Sequence, residues 1–252
     1  MSDLNLRTLL VTGGGRGIGA ACRLLCARQG WAVAVNYTND ARAARAVVGQ
    51  IRAAGGTALE IRADVANEAQ VLAMFESVER ELPPLGGLVN NAGVVDVVCR
   101  VDAMSLARLQ RMFAINVFGS FLCAREAVKR LSTAHGGPGG AIVNVSSAAA
   151  RLGSPGMYVD YAAAKAAIDT FTLGLAREVA AEGIRVNAVR PGIIDTDIHA
   201  SGGQADRVRQ LVPQLPMQRA GRADEVAQAI AWLLSDAASY TTGTIIDVSG
   251  GR

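Results

Sequence analysis

Tyr161 and Lys165 stand in the stretch Y-A-A-A-K, a spacing of four that sets both side chains on one face of a helix and within reach of each other. An ammonium beside a phenol favours the phenolate. It brings a group that ordinarily titrates near ~10 toward the range useful for acid-base work. An exposed amphipathic helix carries such pairs too, so the neighbours decide what this one means. Ser146 and Ser147 end the apolar run I-V-N-V, read as a strand, and ligands of open α/β sheets bind at strand C-terminal ends. A hydroxyl there can reach a carbonyl oxygen. N-N-A-G, Asn90 to Gly93, closes another such run, and Asn116, in I-N-V-F-G, falls within a predicted helix, where an amide most often faces solvent.

Thr12 to Gly19 reads T-G-G-G-R-G-I-G, directly after the first apolar run and opening a helix. Glycines let a backbone turn tightly and approach a pyrophosphate, while the helix N-terminus offers it free N–H groups and positive dipole charge. In such a fold an acid at the end of the second strand holds the adenosine ribose hydroxyls. Asn36, Tyr37, Thr38 and Asn39 stand there instead. A carboxylate would repel a 2′-phosphate and a guanidinium would bind it, so this end, with Arg16 and Arg42 near, predicts NADP (NADPH) in preference to NAD.

These groups need a scaffold that gathers them at one edge, and the chain alternates short β-branched runs with longer segments of helical period. Strands are predicted at Thr8 to Thr12, Ala32 to Asn36, Ala58 to Ile61, Gly87 to Asn90, Ala141 to Val145, Ile184 to Val189 and Thr244 to Val248. Helices are predicted at Cys22 to Gln29, Asp40 to Ala54, Glu68 to Leu82, Leu106 to Leu131, Tyr158 to Glu182 and Glu225 to Leu234. The strands are apolar on both faces, as in a parallel sheet covered on each side. The expected fold class is α/β: a single-domain Rossmann fold over residues 1–252, a doubly wound parallel sheet of about seven strands with helices on both faces. Ile193 to Arg219 breaks the pattern with Gly, Pro and little periodicity, and is expected to be a substrate-binding loop.

Half of the 252 residues are hydrophobic, 19% are charged and the net charge is +3 with basic residues scattered, which argues against nucleic-acid or membrane partners. No export signal opens the chain and no run is long enough for a bilayer, so a cytoplasmic protein is expected. Four cysteines include no C-x-x-C. Cys22 and Cys26 are read as buried thiols, and Cys99 and Cys123 have no His or Cys beside them, so no metal site is expected.

T-G-G-G-R-G-I-G, D-V at Asp64 and Val65, N-N-A-G, I-N-V-F-G, V-S-S, Y-A-A-A-K and P-G-I-I-D-T occur in this order. The ordered set resembles the short-chain dehydrogenase/reductases, in their ordinary one-domain branch, over nearly the whole chain. The resemblance implies a pyrophosphate turn of Gly13, Arg16, Gly17, Ile18 and Gly19, with adenine contacts from Asp64 and Val65. Asn91, Ala92 and Gly93 would line the cleft, and Pro191, Gly192, Ile194 and Thr196 would flank the nicotinamide. Asn116, Ser147, Tyr161 and Lys165 would form a catalytic tetrad. Tyr161 would give or take the proton, Ser147 would stabilise the oxyanion, Lys165 would hold the nicotinamide ribose and depress the Tyr161 pKa, and Asn116 would hold a water.

The expected activity is NADP(H)-dependent hydride transfer between a carbonyl and an alcohol. An NAD-dependent alcohol dehydrogenase and a catalytically silent dinucleotide sensor are the alternatives. Ser147 to Tyr161 is longer by one position than the family pattern, which predicts an insertion in Ala148 to Asp160, and Tyr158 is set aside because Ala162 follows it at the lysine spacing. Val94, Val95, Met157, Ile193, Ile194, His199 and Met217 are the candidate pocket residues, mostly apolar, and predict a small to medium neutral carbonyl substrate. The family's pairing of long central helices predicts a homotetramer, with Ala162, Ala163, Ala166 and Ala167 as a small-residue surface.

Overall fold

The computed structural model describes residues 6–13, 15–197, 202–204 and 206–252. His199 lies outside them. Seven strands, β1 (Thr8–Val11), β2 (Ala32–Tyr37), β3 (Ala58–Arg62), β4 (Leu85–Asn90), β5 (Gly140–Val145), β6 (Ile184–Pro191) and β7 (Ile245–Val248), form one sheet in the order β3-β2-β1-β4-β5-β6-β7. Every pairing is parallel. Successive strand residues point to opposite faces, and both faces are apolar. Leu10, Leu88, Ile142 and Val186 enter one buried cluster, while Leu9, Val11, Val89, Val143 and Val189 enter the other. The strand order reverses between β1 and β4, which opens a crevice at their C-terminal ends.

Helices α1 (Gly17–Arg28), α2 (Ala41–Ala53), α3 (Glu68–Glu81), α4 (Leu106–Phe113), α5 (Gly119–Leu131), α6 (Ala149–Leu152), α7 (Val159–Val179), α8 (Arg207–Leu211) and α9 (Ala223–Leu234) connect the strands. Helix α1 starts earlier than its apolar period indicates, because small residues in its first turn hide the pattern. The helix predicted from Leu106 to Leu131 is interrupted by a π-helical turn, Ala114–Phe118. The loop from Ile193 is bonded at its two ends. Gly221 donates its N–H to Ile193 O and Asp195 donates to Gly221 O, both at 2.9 Å, so the two ends of the loop are stapled together and α8 lies between them. Between Ser147 and Tyr161 the chain folds into α6 and a left-handed turn at Gly153 and Ser154.

Helix α7 presents the Y-A-A-A-K residues, and its first turn is anchored by charge. The Arg108 guanidinium donates from Nε and Nη2 to the two carboxylate oxygens of Asp160 at 2.7 and 3.2 Å and from Nη1 to Val97 O at 2.6 Å. The Asp160 side chain is wholly buried and that of Arg108 is 9% exposed. The small-residue surface expected on α7 is only partly there. Ala162 is buried and Ala167 packs inward beside the buried Met112, which leaves Ala163 to solvent and Ala166 half-buried.

Removing one member of a buried, hydrogen-bonded ion pair strands the other charge at a cost of about 3–5 kcal/mol. Arg108→Met is expected to lower the unfolding free energy by about that amount, read by urea denaturation. A loss below about 1 kcal/mol, the value of an exposed pair, would contradict the anchoring role.

Candidate active site

At the crevice, the turn after β1 and the turn after β4 are bonded to each other. The Thr12 hydroxyl accepts from the N–H groups of Asn91 and Ala92, both at 3.0 Å, and the Asn91 amide donates to Thr12 O at 2.9 Å and Gly13 O at 3.1 Å. Gly13 has φ +79°, and a Cβ on it would lie 2.6 Å from the Ala92 Cα, so both the conformation and the approach require glycine. Beneath this turn the fully buried Arg23 donates to Val11 O, Gly13 O and Asn36 O at 2.6, 3.2 and 3.2 Å. Burial pulls its guanidinium down to about 10.

Helix α1 opens at Gly17 with no side chain capping its first turn, which leaves its N-terminal N–H groups to an outside acceptor such as a pyrophosphate. Ile18, Asn91, Gly93, Pro191, Gly192, Ile194 and Thr196 line one cleft with Ser147, Tyr161 and Lys165. Thr196 closes on the turn, where a Cβ on Gly17 would be 3.2 Å from its Cγ2. An uncapped helix end, a glycine turn and a cleft running from it to the tyrosine fit a dinucleotide.

Several side chains expected at the cofactor are spent elsewhere. Asn36 is buried, accepts from Gly13 N at 3.1 Å and donates to Ala63 O at 2.9 Å, so it braces the glycine turn and does not face a ribose. Val65 is buried in the core, where only its main chain remains for a ligand. Asp64 Oδ1 accepts from Ala66 N at 3.0 Å. Thr38 is exposed and Tyr37 half-buried, and Thr38, Asp64, Arg62 and Gln70 border a surface hollow. Arg62 was not singled out by the sequence. Arg16 is flanked by Asp40 at 3.5 Å and Asp197 at 3.6 Å, and Gly19 packs against the Asn91 amide.

At the other end of the cleft Ser147 follows β5 and lines the wall with Tyr161, its hydroxyl acting to lower the phenol pKa. Ser146 is buried and donates to Lys165 O at 3.2 Å, fastening β5 to α7. Lys165 Nζ donates to Val145 O at 2.7 Å and lies 5.7 Å from the centre of the Tyr161 ring. The expected depression of the phenol does not appear in this arrangement. Burial raises the Tyr161 pKa and the Ser147 hydroxyl offsets part of the rise. Burial also lowers Lys165 to about 8, against the field of Asp169. The ammonium addresses the ring and a carbonyl instead of the phenol oxygen, so desolvation governs both groups.

Asn116 does not face solvent. It is fully buried in the π-helical turn, whose wider bore turns the amide inward. Its Oδ1 accepts from Val94 N at 3.1 Å and its Nδ2 donates to Val94 O and Met112 O, both at 3.0 Å. The side chain therefore pins the segment after β4. Gly93 sits between the two remaining members of the group, since a Cβ on it would lie 2.8 Å from Asn116 Oδ1 and 3.4 Å from Lys165 Nζ. Of the expected pocket residues, Val95, Ile193 and Ile194 line the cleft, whereas Val94, Met157 and Met217 do not. Leu152, Tyr158, Arg207 and Arg252 line it without having been foreseen.

The family model described as "Enoyl-(Acyl carrier protein) reductase" matches residues 13–252. The uncharacterized oxidoreductase YgfF of Escherichia coli is 57% identical over 243 residues, covering 96% of this chain and 98% of that protein. A 3-oxoacyl-[acyl-carrier-protein] reductase of Synechocystis is 38% identical over 252 residues, covering 100% and 98%. Among solved structures, a short-chain type dehydrogenase/reductase from Mycobacterium marinum superposes with a TM-score of 0.92 at 35% identity, covering 99% of this chain and 96% of that one. With the parallel sheet, the glycine turn and the serine–tyrosine pair already in place, these matches assign the chain to the short-chain dehydrogenase/reductases, a family of oxidoreductases.

Proposed function

We propose that this protein is an NADP(H)-dependent oxidoreductase that interconverts a carbonyl and an alcohol, with Tyr161 as proton donor and acceptor. The observation that carries the reading is that Ser147, Tyr161 and Lys165 line one cleft with Ile18 of the glycine turn and with Pro191, Gly192 and Thr196. A bound nicotinamide supplies the hydride. Ser147 and Tyr161 hold the substrate oxygen, and Tyr161 gives it a proton as negative charge develops there. The raised phenol pKa suits this direction, because a neutral phenol is the form that can donate. Lys165 sits beneath the tyrosine and is assigned to the nicotinamide ribose. Gly13, Gly17, Ile18 and Gly19 cradle the pyrophosphate, and Pro191, Gly192, Ile194 and Thr196 flank the nicotinamide.

The NADP preference rests on the absence of a carboxylate from Asn36 to Asn39, with Arg16 and Arg62 near that end. The names of the relatives include 3-oxoacyl-[acyl-carrier-protein] reductases, which is consistent with a ketone as the reacting group. For assembly we propose a homotetramer, supported by an apolar outer face on the central helices. Phe118, Phe121 and Leu173 are 58%, 45% and 39% exposed, and Phe121 stacks on Phe171.

Three outcomes are expected. Purified protein oxidises NADPH faster than NADH on a panel of ketones, aldehydes, diketones and quinones, and Tyr161→Phe lowers that turnover about 100-fold or more. Retained turnover in that variant sinks the mechanism, and faster oxidation of NADH sinks the cofactor assignment. The chain has two lysines, Lys129 and Lys165. In the cofactor-free protein, the carbon-13 lysine NMR signal that disappears in Lys165→Met titrates with a midpoint of about 8, charged below it and neutral above. A midpoint at the ordinary lysine value would remove the desolvation argument. Light scattering at micromolar concentration gives a tetramer mass that falls in Phe118→Glu, and a monomeric parent would contradict the assembly.

A further inference from the structure

The substrate end of the cleft carries charge that the carbonyl chemistry does not use. Arg207 and Arg252 line the same cleft as Ser147 and Tyr161. Arg207 enters from α8, in the stapled loop, with its guanidinium 5.3 Å from the centre of the Tyr158 ring and Nη1 3.4 Å from Met157 Sδ. Arg252 enters from the segment after β7, held by Gly192 donating to Val248 O at 3.0 Å and by the Ser249 hydroxyl donating to Arg252 O at 3.0 Å. Both are half-buried.

Among the described residues no Asp or Glu side chain lines the cleft to answer them. Nearby acids are committed elsewhere, Asp206 to Arg209 at 3.0 Å and Asp197 to Arg16 at 3.6 Å. Among the described residues neither Arg207 nor Arg252 has an ion-pair partner. Elsewhere on the molecule unpaired arginines such as Arg28 and Arg42 are exposed, where water answers the charge. Here burial and then the field of Arg207 pull the Arg252 guanidinium below its ordinary value. Two half-buried guanidiniums that repel each other in a cleft without acids are an arrangement completed by an anion. They are also set apart from the nucleotide end, which has Arg16 and Arg62.

We propose that Arg207 and Arg252 bind an anionic group on the substrate, so that the carbonyl compound this protein takes is an oxo acid, with the anion held beside Tyr158 while the carbonyl meets Ser147 and Tyr161. This rests on the carbonyl–alcohol reading and replaces the neutral substrate expected from sequence with an anionic one. A carboxylate and a phosphate monoester share the recognising chemistry, since either accepts paired N–H donors from a guanidinium.

The test uses straight-chain oxo carboxylic acids of graded length, their methyl esters, and the corresponding oxo-alkyl phosphates. Turnover with NADPH and thermal shift of the protein without cofactor are both read. The expected result is a kcat/KM for the best acid or phosphate that exceeds its neutral counterpart by about 10-fold or more, the scale of a charge-assisted hydrogen bond, mostly through KM. Arg207→Gln and Arg252→Gln each collapse that ratio, and the neighbouring Arg209→Gln leaves it intact. Preference for the acids assigns a carboxylate and preference for the phosphates a phosphate. Esters that match both anions in turnover and in thermal shift overturn the inference while leaving the reductase standing. Anions that stabilise the protein more than esters, without turnover or with turnover that survives Tyr161→Phe, overturn the carbonyl reading and leave the anion site standing.

Discussion

The clamp between Thr12–Gly13 and Asn91–Ala92 is the contact on which the site depends. A parallel sheet delivers all its strand ends to one edge, but at the switch in strand order the connections that follow the paired strands β1 and β4 part to opposite faces. One hydroxyl and one amide close that gap by four hydrogen bonds of 2.9–3.1 Å. They fix the distance between the turn that opens α1 and the turn that leads to Gly93, and through Gly93 the placement of Asn116 and Lys165. Buried polar groups of this kind add position more than net stability, because each bond replaces one to water. Loss of a partner leaves the other buried and unpaired, which is why such a clamp tolerates little variation.

The same logic recurs along the sheet. Four strands carry a buried asparagine, Asn36, Asn90 and Asn144 near the C-terminal edge and Asn187 midway along β6. Asn90 donates to Asn144 Oδ1 at 3.0 Å and to Ser120 O, and Asn144 donates to the Thr172 hydroxyl at 2.9 Å. Asn187 donates to Thr241 O and accepts from Thr244 N. An apolar sheet with helices on both sides could slide by a residue at little cost in burial. Amides that have to find particular carbonyls and hydroxyls remove that freedom and lock β4, β5 and α7, the elements that bear Ser147 and Tyr161, into one register.

The scaffold was largely legible, because strand and helix periods are local properties of the chain, and each predicted strand is found within a few residues of its place. The serine–tyrosine–lysine group was legible for the same reason, being set by a strand end and a helical spacing. What sequence hid was direction. Asn36 and Asn116 turn inward because of a glycine 23 residues earlier and a π-helical turn, neither visible in residue type. The Lys165–Tyr161 pair suggested a lowered phenol, but spacing carries no information on desolvation, and burial raises it. Arg62, Arg207 and Arg252 were not singled out by residue type or spacing, and only the fold brings them to hollows.

The two ends of the cleft are built by different means, and this bears on what can vary. The reacting groups hang on the sheet edge and α7, tied by Ser146 to Lys165 and by Arg108 to Asp160. The groups opposite them hang on a loop stapled at Ile193, Asp195 and Gly221 and on the segment that follows β7. The Tyr158 hydroxyl crosses to this loop, donating to Gly202 O at 3.4 Å, longer than a good hydrogen bond. Changes in the loop can therefore re-aim the charge at the substrate end without moving Ser147, Tyr161 or Lys165. Chemistry common to a family and substrate choice particular to this chain rest on separate supports.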